Sequence, residues 1–366
     1  MLPYKITCPG IFLFFLEKIA IEELEGSGGR MKKIGRQTAL LEIKPVIRSC
    51  AAVVGKREGE CALGGGFDYV SDDSYFGQET WEKAESEMIR RCFSLCCKKV
   101  DLSPAGLDCV LSGDLLNQCV ASTFALRDVP VPYFGLYGAC STMAESLVLA
   151  SMLIDAGFAK NACALTGSHF CSAERQYRFP LEYGGCKPPT AQCTVTGSGA
   201  VILSDRGEDV KIDACTVGRI EDAGIADANN MGAAMAPAAF ETLKAHFIET
   251  GRGPDYYDAI FTGDLGAVGH DLLEALMKDE GFELGEKYAD CGVLIYSGSE
   301  NRDQKPGSGC GCSASVLCGH IVPEMRRGRW KRVLFAATGA LMSPLTAQQK
   351  ESIPGICHAV SLESGV

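Results

Sequence analysis

No run of this 366-residue chain approaches the roughly 20 consecutive apolar residues that a membrane-crossing helix needs, so no spanning segment is expected. The run Ile11 to Leu16 is short and passes at once into Glu17 and Lys18. A secretory leader would need a basic start and a small-residue cleavage site, and neither is convincing here. These absences predict a soluble protein kept inside the cell. Positive charge is also scarce: 35 Lys and Arg against 46 Asp and Glu leave a formal net charge of −11. That balance argues against a nucleic-acid groove, and it means that an anionic ligand would need a local basic pocket. Metal-ligand spacing is missing too, because Cys310-Gly311-Cys312 has no second Cys or His pair, so neither a metal site nor a cofactor is expected. Histidine is limited to five residues, which restricts the bases available to a nucleophile.

Cysteine, by contrast, is abundant. Its 19 copies are scattered through apolar runs and do not form a compact framework, which reads as small buried hydrophobes in a reducing compartment. One of them stands apart. Cys140, after Leu136-Tyr137-Gly138-Ala139, lies where a glycine turn opens a helix. There the positive end of the helix dipole and free N–H groups would lower a thiol pKa and hold an oxyanion.

The surroundings of Cys140 recur. Ser112-Gly113-Asp114-Leu115 and Thr262-Gly263-Asp264-Leu265 each end a strand-like run, and each is followed by a turn cysteine. The separation from Cys140 to Gly167 equals that from Cys312 to Gly339. Order and spacing together indicate an internal duplication, with halves at 31–205 and 206–366. Residues 1–30 are unlike the rest and end in a polar glycine-rich stretch, consistent with a poorly ordered extension or a mis-called start at Met1.

Short β-rich runs alternate with longer helical patterns, the clearest being Trp81 to Val100 and Thr142 to Gly157. This alternation predicts βαβ units and an α/β fold of five layers, α/β/α/β/α. Thr142 with Glu145 fits a capping box, and Gly157 fits a left-handed stop. The interior of that helix is apolar nearly all round, so it should be buried.

Several residues could serve a site at Cys140. His169 follows the strand end at Ser168, and His358 opens the last strand-like run; either could be a base or simply a satisfied structural histidine. His246 reads as a helix-surface residue. The polar stretch after His169 carries Arg175, Arg178 and Lys187 beside Tyr177, Phe179 and Tyr183, which supply cations for carboxylates and flat faces for an aromatic ring, or else form a solvated loop. Asp114 and Asn117 could position a ligand, or Asp114 could cap a turn.

The duplicated halves and the Gly138-Ala139-Cys140-Ser141-Thr142 elbow resemble the thiolase and ketoacyl-synthase III superfamily. The segments around Asp114 to Gln118, Ala173 to Gln176, Glu182 to Gly185, Thr194 to Ala200, Met235 to Ala239 and Ala337 to Leu341 resemble, within it, the stage V sporulation protein AD family of endospore-forming bacteria. The resemblance spans Met31 to the C-terminus. It implies a thiolase-like fold, a homodimer, and binding of dipicolinic acid (pyridine-2,6-dicarboxylate), free or as its calcium chelate. It also implies partnership with the SpoVA membrane proteins and a peripheral place at the spore inner membrane. Cys140, His169, Asp114, Asn117 and His358 would then shape the pocket, with Arg175 and Lys187 facing the two carboxylates.

Ketoacyl synthases of this type place a His where this chain has Thr262 to Gly266, and an Asn in the elbow that here reads Gly307 to Cys312. Both partners are missing, and Cys357-His358 only loosely matches the C-terminal cysteine loop of thiolases. A non-catalytic binding protein is therefore expected. The alternative is an acyltransferase that uses Cys140 as nucleophile with His358 or His169 as base.

Overall fold

The strands are short runs rich in Val, Ile, Leu, Ala and Cys, many of them ending in Gly, Ser or Asp, and most are buried on both faces. The computed structural model describes residues 32–177, 188–297 and 305–365. Residues 1–30, Arg178 and Lys187 lie outside them.

Along the chain run β1 (Lys32–Lys33), β2 (Thr38–Leu40), β3 (Val46–Gly55), β4 (Tyr69–Ser71), α1 (Trp81–Lys98), β5 (Cys109–Gly113), α2 (Val120–Leu126), β6 (Tyr133–Gly135), α3 (Thr142–Asp155), β7 (Asn161–Ser168) and α4 (Phe170–Tyr177). They are followed by β8 (Cys193–Thr194), β9 (Gly197–Ser204), β10 (Lys211–Thr216), α5 (Met231–Thr250), β11 (Ala259–Thr262), α6 (Gly266–Asp279), β12 (Tyr288–Asp290), β13 (Gly307–Ser308), α7 (Cys310–Val316), β14 (Arg332–Ala340) and β15 (Gly355–Glu363).

The main sheet reads β6-β5-β7-β9-β3, then β10-β15-β14-β11-β12. Read outward from the middle, the two halves have the same order. Each has a parallel outer trio and an antiparallel strand, β9 or β15, that reverses direction. They meet at a single registered pair, Val46 with Lys211.

Burial sorts the helices into layers. On the outer face of the first sheet, α1 and α2 cover Val53, Val110, Leu165 and Ile202. On the outer face of the second, α5 and α6 cover Ile260, Leu334, Ala336 and Ala359. Between the sheets lie α3 and α7, whose Met143, Leu147, Ile154, Cys312 and Val316 share one core with Val201, Leu203, Phe335 and Val360. A helix with no solvent face must be apolar all round, which is what the α3 sequence provides. This is the five-layered duplicated α/β fold.

Three local expectations need correction. The capping box at Thr142 is not formed: Thr142 Oγ1 donates to the Ala139 carbonyl at 2.7 Å, and α3 has no side-chain cap. Gly157 does end the helix, at φ 74°. His246 is not on the surface; it is fully buried, with Nδ1 2.7 Å from Thr216 Oγ1 and Nε2 2.5 Å from Tyr257 Oη.

The third concerns the duplication. The counterpart of Cys140 is Cys310, not Cys312. Cys310 begins α7 and packs with Cys140, Leu115 and Ala173, whereas Cys312 belongs to the central core. The equal spacing misled by two positions: a π turn, Leu317–Ile321, adds one residue to the second helix, and one more lies between its stop and the strand-end glycine. Seventeen positions separate Cys140 from its stop Gly157, and eighteen separate Cys310 from Gly328.

Candidate functional site

Cys140 sits in a single 3₁₀ turn, Ala139–Ser141, that leads into α3. Ala139 is held in the left-handed region at φ 51°, a strained conformation for alanine that tilts the next residue inward. A Cβ at Gly138 would come within 2.2 Å of Glu145 Oε2, so a larger residue there would displace that side chain. The elbow thus delivers the thiol to the floor of a small cavity.

Leu115, Ala173, Met231, Ala340 and Met342 supply the apolar wall of this cavity. Glu174, Tyr177, Gln192, Thr194 and Ser308 supply the polar one. Tyr177 Oη donates to the Leu115 carbonyl at 2.8 Å, which fixes its ring as one side of the mouth. Glu174 Oε1 accepts from Thr194 N and Oγ1, at 3.4 and 3.3 Å.

Beneath the thiol lies Asp264, fully buried. Its Oδ2 accepts from Ser308 Oγ and Gly309 N, both at 3.0 Å, and its Oδ1 accepts from Thr338 Oγ1 at 2.9 Å. Those donors, with the Cys140 thiol, favour a carboxylate against the burial that raises its pKa. The effect on sulfur is the reverse of the sequence expectation. Burial first, then the Asp264 carboxylate and the Cys310 thiol, push Cys140 well above the ordinary thiol range, and the Gly309 N–H opposes them only in part. Cys140 is therefore a protonated hydrogen-bond donor at neutral pH and not a thiolate nucleophile.

The predicted site residues do not converge. Asp114 turns away from the cavity and organises the start of α2, accepting from Leu116 N at 2.9 Å and Ser122 N at 2.7 Å. His169 is buried beside α1: its Nε2 is 2.8 Å from the Ser74 carbonyl, its Nδ1 accepts from Cys171 N at 3.2 Å, and burial lowers its pKa. With both ring nitrogens engaged, it is not a base for Cys140. His358 Nδ1 accepts from Gly218 N at 3.1 Å, and burial pushes its pKa down to about 4; it too lies off the cavity wall.

Arg175 and Asn117 do meet, but in a separate surface groove with Glu82, Ser172 and Gln176. The helix α4 explains the separation. Its Ala173, Glu174 and Tyr177 face the cavity, while Ser172, Arg175 and Gln176 face the groove, where Arg175 is ion-paired with Glu82. Among the described residues, no group of three or more His, Cys, Asp or Glu is arranged to hold a metal ion. No helix among them is long and apolar enough to cross a membrane.

Sequence reading missed Asp264, Cys310, Glu174 and Gln192. For Asp264 a signal existed, since the Gly-Asp-Leu triplet repeats at 113–115 and 263–265. Nothing local marks Gln192, whose Nε2 donates to the Asp264 carbonyl oxygen at 2.5 Å across 72 positions of sequence.

Comparison with known proteins agrees with this architecture. The structure resembles 3-oxoacyl-[acyl-carrier-protein] synthase III from Aquifex aeolicus VF5, with TM-score 0.53 and 15% identity over 87% of this chain and 99% of that one. It also resembles cerulenin-bound OleA of Xanthomonas, with TM-score 0.54 and 12% identity over 88% and 97%. Identities this low speak to the fold alone, and the fold is thiolase-like. At the level of sequence, the chain is 44% identical over 333 residues to stage V sporulation protein AD of Bacillus subtilis (strain 168), covering 91% of this chain and 98% of that protein. The family model for stage V sporulation protein AD matches residues 35–363, and the chain belongs to that family.

Proposed function

We propose that this sporulation protein is a non-catalytic binder of dipicolinate, free or as its calcium chelate, that serves uptake of the compound into the developing spore. The observation that carries the reading is the state of the elbow. The cavity at Cys140 is intact, yet Asp264 stands in the loop where the enzyme resemblance calls for a histidine, and burial together with Asp264 keeps the thiol protonated. Such a site can enclose a small planar ligand but lacks the base for acyl transfer. The family resemblance points to the ligand class, and the cavity offers a slot with an aromatic face from Tyr177, methionines at Met231 and Met342, and hydrogen-bonding groups at Thr194 and Ser308. Its described lining carries Glu174 and no Lys or Arg, so the positive charge an anionic ligand needs would come from the calcium of the chelate.

Arg175 takes no part in this slot, because it points to the opposite side of α4. A homodimer formed along β6 fits the exposure of that edge strand, where Tyr133 and Phe134 are solvent-facing. The other SpoVA proteins would hold the dimer at the spore inner membrane.

Titration calorimetry of the reduced protein with dipicolinate, with and without calcium, tests the reading. We expect saturable binding by the wild type, at least about ten-fold weaker binding by Met342→Trp, which fills the slot from its loop, and a change under about two-fold for Arg175→Ala. No heat from a folded wild type would reject dipicolinate as the ligand. Loss in Arg175→Ala with no loss in Met342→Trp would move the site to the groove.

A further inference from the structure

The inner wall of the cavity, α4, is fastened to α1 by two carboxyl groups one turn apart. Glu82 is partly exposed and ion-paired with Arg175 of α4. Glu85 is fully buried, and its Oε1 has no hydrogen-bond partner. Its Oε2 meets the Ser172 hydroxyl, which also lies 3.0 Å from the His169 carbonyl oxygen. A hydroxyl carries one hydrogen and cannot make a full hydrogen bond to both acceptors. The arrangement closes when Ser172 donates to the carbonyl and Glu85 supplies the proton of the other bond, that is, when Glu85 is a neutral acid.

The groups around Glu85 reinforce this. From the turn after β5 comes the buried Asp114, from its own helix Glu82, from α4 the Ser172 hydroxyl, and from α7 the Cys310 thiol. The charges that act on it, Asp114 first and then Glu82, are both negative, so an ionised Glu85 would be a buried charge facing like charges.

We propose that Glu85 is a proton-operated latch: protonated, it holds α4 against α1 and keeps the wall of the Cys140 cavity in place, and its ionisation frees that wall. Burial and Asp114 raise the folded-state pKa well above the ordinary carboxylate value. A raised acid contributes its stability below the unfolded value of about 4.5 and loses it as pH climbs through the folded one, so the latch weakens toward alkaline pH. Because Ala173, Glu174 and Tyr177 ride on the same helix, release would open the binding slot. Glu85 is thus a positioning residue that acts through α4. Only the ligand's identity rests on the proposed function; the latch itself does not.

Amide hydrogen exchange of the α4 peptide, without ligand and corrected for intrinsic rates, reads the latch directly from pH 5 to 9. In the wild type, protection of α4 relative to α3 should fall by up to about ten-fold per pH unit once the acid ionises. In Glu85→Gln, which keeps the shape and cannot ionise, the corrected profile should be flat. The same slope in Glu85→Gln, or a flat wild-type profile over that range, would overturn the proposal. If Glu85→Gln does not fold, Glu85→Met serves as the non-ionising variant and the wild-type profile still decides. Intact dipicolinate binding with a flat exchange profile would reject the latch and leave the binding reading standing.

Discussion

The two elbows of this molecule begin from the same frame and end in opposite states. In the first half, Cys140 faces a cavity; in the second, Cys310 donates to the Gly167 carbonyl at 3.0 Å and is sealed at 0% exposure. The strand-end aspartates diverge in the same way. Asp114 is turned back to build the start of α2, while Asp264 is turned toward the other half's cysteine and fills with donors from Ser308, Gly309 and Thr338. A third pair lies on the outer helices. Cys92 bonds to the Ser198 carbonyl and Thr242 to the Cys357 carbonyl, and seven positions before each stand Glu85 and Met235. One half buries an acid where the other buries a thioether. Duplication fixes where side chains point, but the residue placed there decides whether the position is a site, a brace or plain core.

The comparison can be broken most sharply at that third pair. Met235→Glu, which copies the acid into a fully apolar setting, should cost about 3 kcal/mol or more at pH 8 in denaturant titration. Glu85→Met should show the reverse trend, gaining stability over the wild type as pH rises from 5 to 8, because it removes a group whose neutral form is the one the fold binds. Equal and pH-independent effects of both would remove the distinction.

Next in size is Asp264→Ala, which leaves the Ser308, Gly309 and Thr338 donors buried without an acceptor and should cost about 3 kcal/mol. The milder Asp264→Asn keeps the volume but removes the charge. Since that charge raises the Cys140 pKa, its loss should speed alkylation of Cys140 at pH 9 by about ten-fold, read by peptide mass.

The cysteines themselves come third. Cys310→Ala loses a buried sulfur with a carbonyl partner and should cost about 1–2 kcal/mol. Cys140→Ala, which borders a cavity already, should cost less than half of that in the same urea titration. Smallest is a pair expected to match. Gly157 and Gly328 both stop their helices at positive φ with open space at the Cβ position, so Ala at either should cost about 1 kcal/mol. A large difference between them would mean that the two stops are not equivalent.

The layered fold was legible because its signals are local and repeated. The apolar α3, the Gly-Asp-Leu strand ends and the stop at Gly157 each depend on neighbours a few positions away. The elbow was legible for the same reason. Its chemistry was not, because the pKa of Cys140 is set first by burial that no local pattern reveals and then by Asp264, 124 positions on. His169 and His358 looked available as bases because sequence places them at strand ends, but it does not show that the Ser74 carbonyl and the Gly218 N–H already occupy them. Arg175 was misassigned by half a helical turn: on α4, which is one residue position from the cavity side at Glu174, neighbouring side chains serve different surfaces. The mistaken match of Cys140 with Cys312 came from two added residues, one in the π turn and one between Gly328 and Gly339, which offset the two positions from Cys310 to Cys312 and left the spacing equal.

The central claim is that the elbow thiol is a protonated wall group and not a nucleophile. The pH dependence of Cys140 alkylation by iodoacetamide, followed by peptide mass on the folded protein, tests it most directly. The account predicts a rate that is still rising at about pH 10, with no plateau below it, as burial and Asp264 require. An inflection at or below about pH 8 would mean a thiolate at working pH, and would return the site to acyl-transfer chemistry.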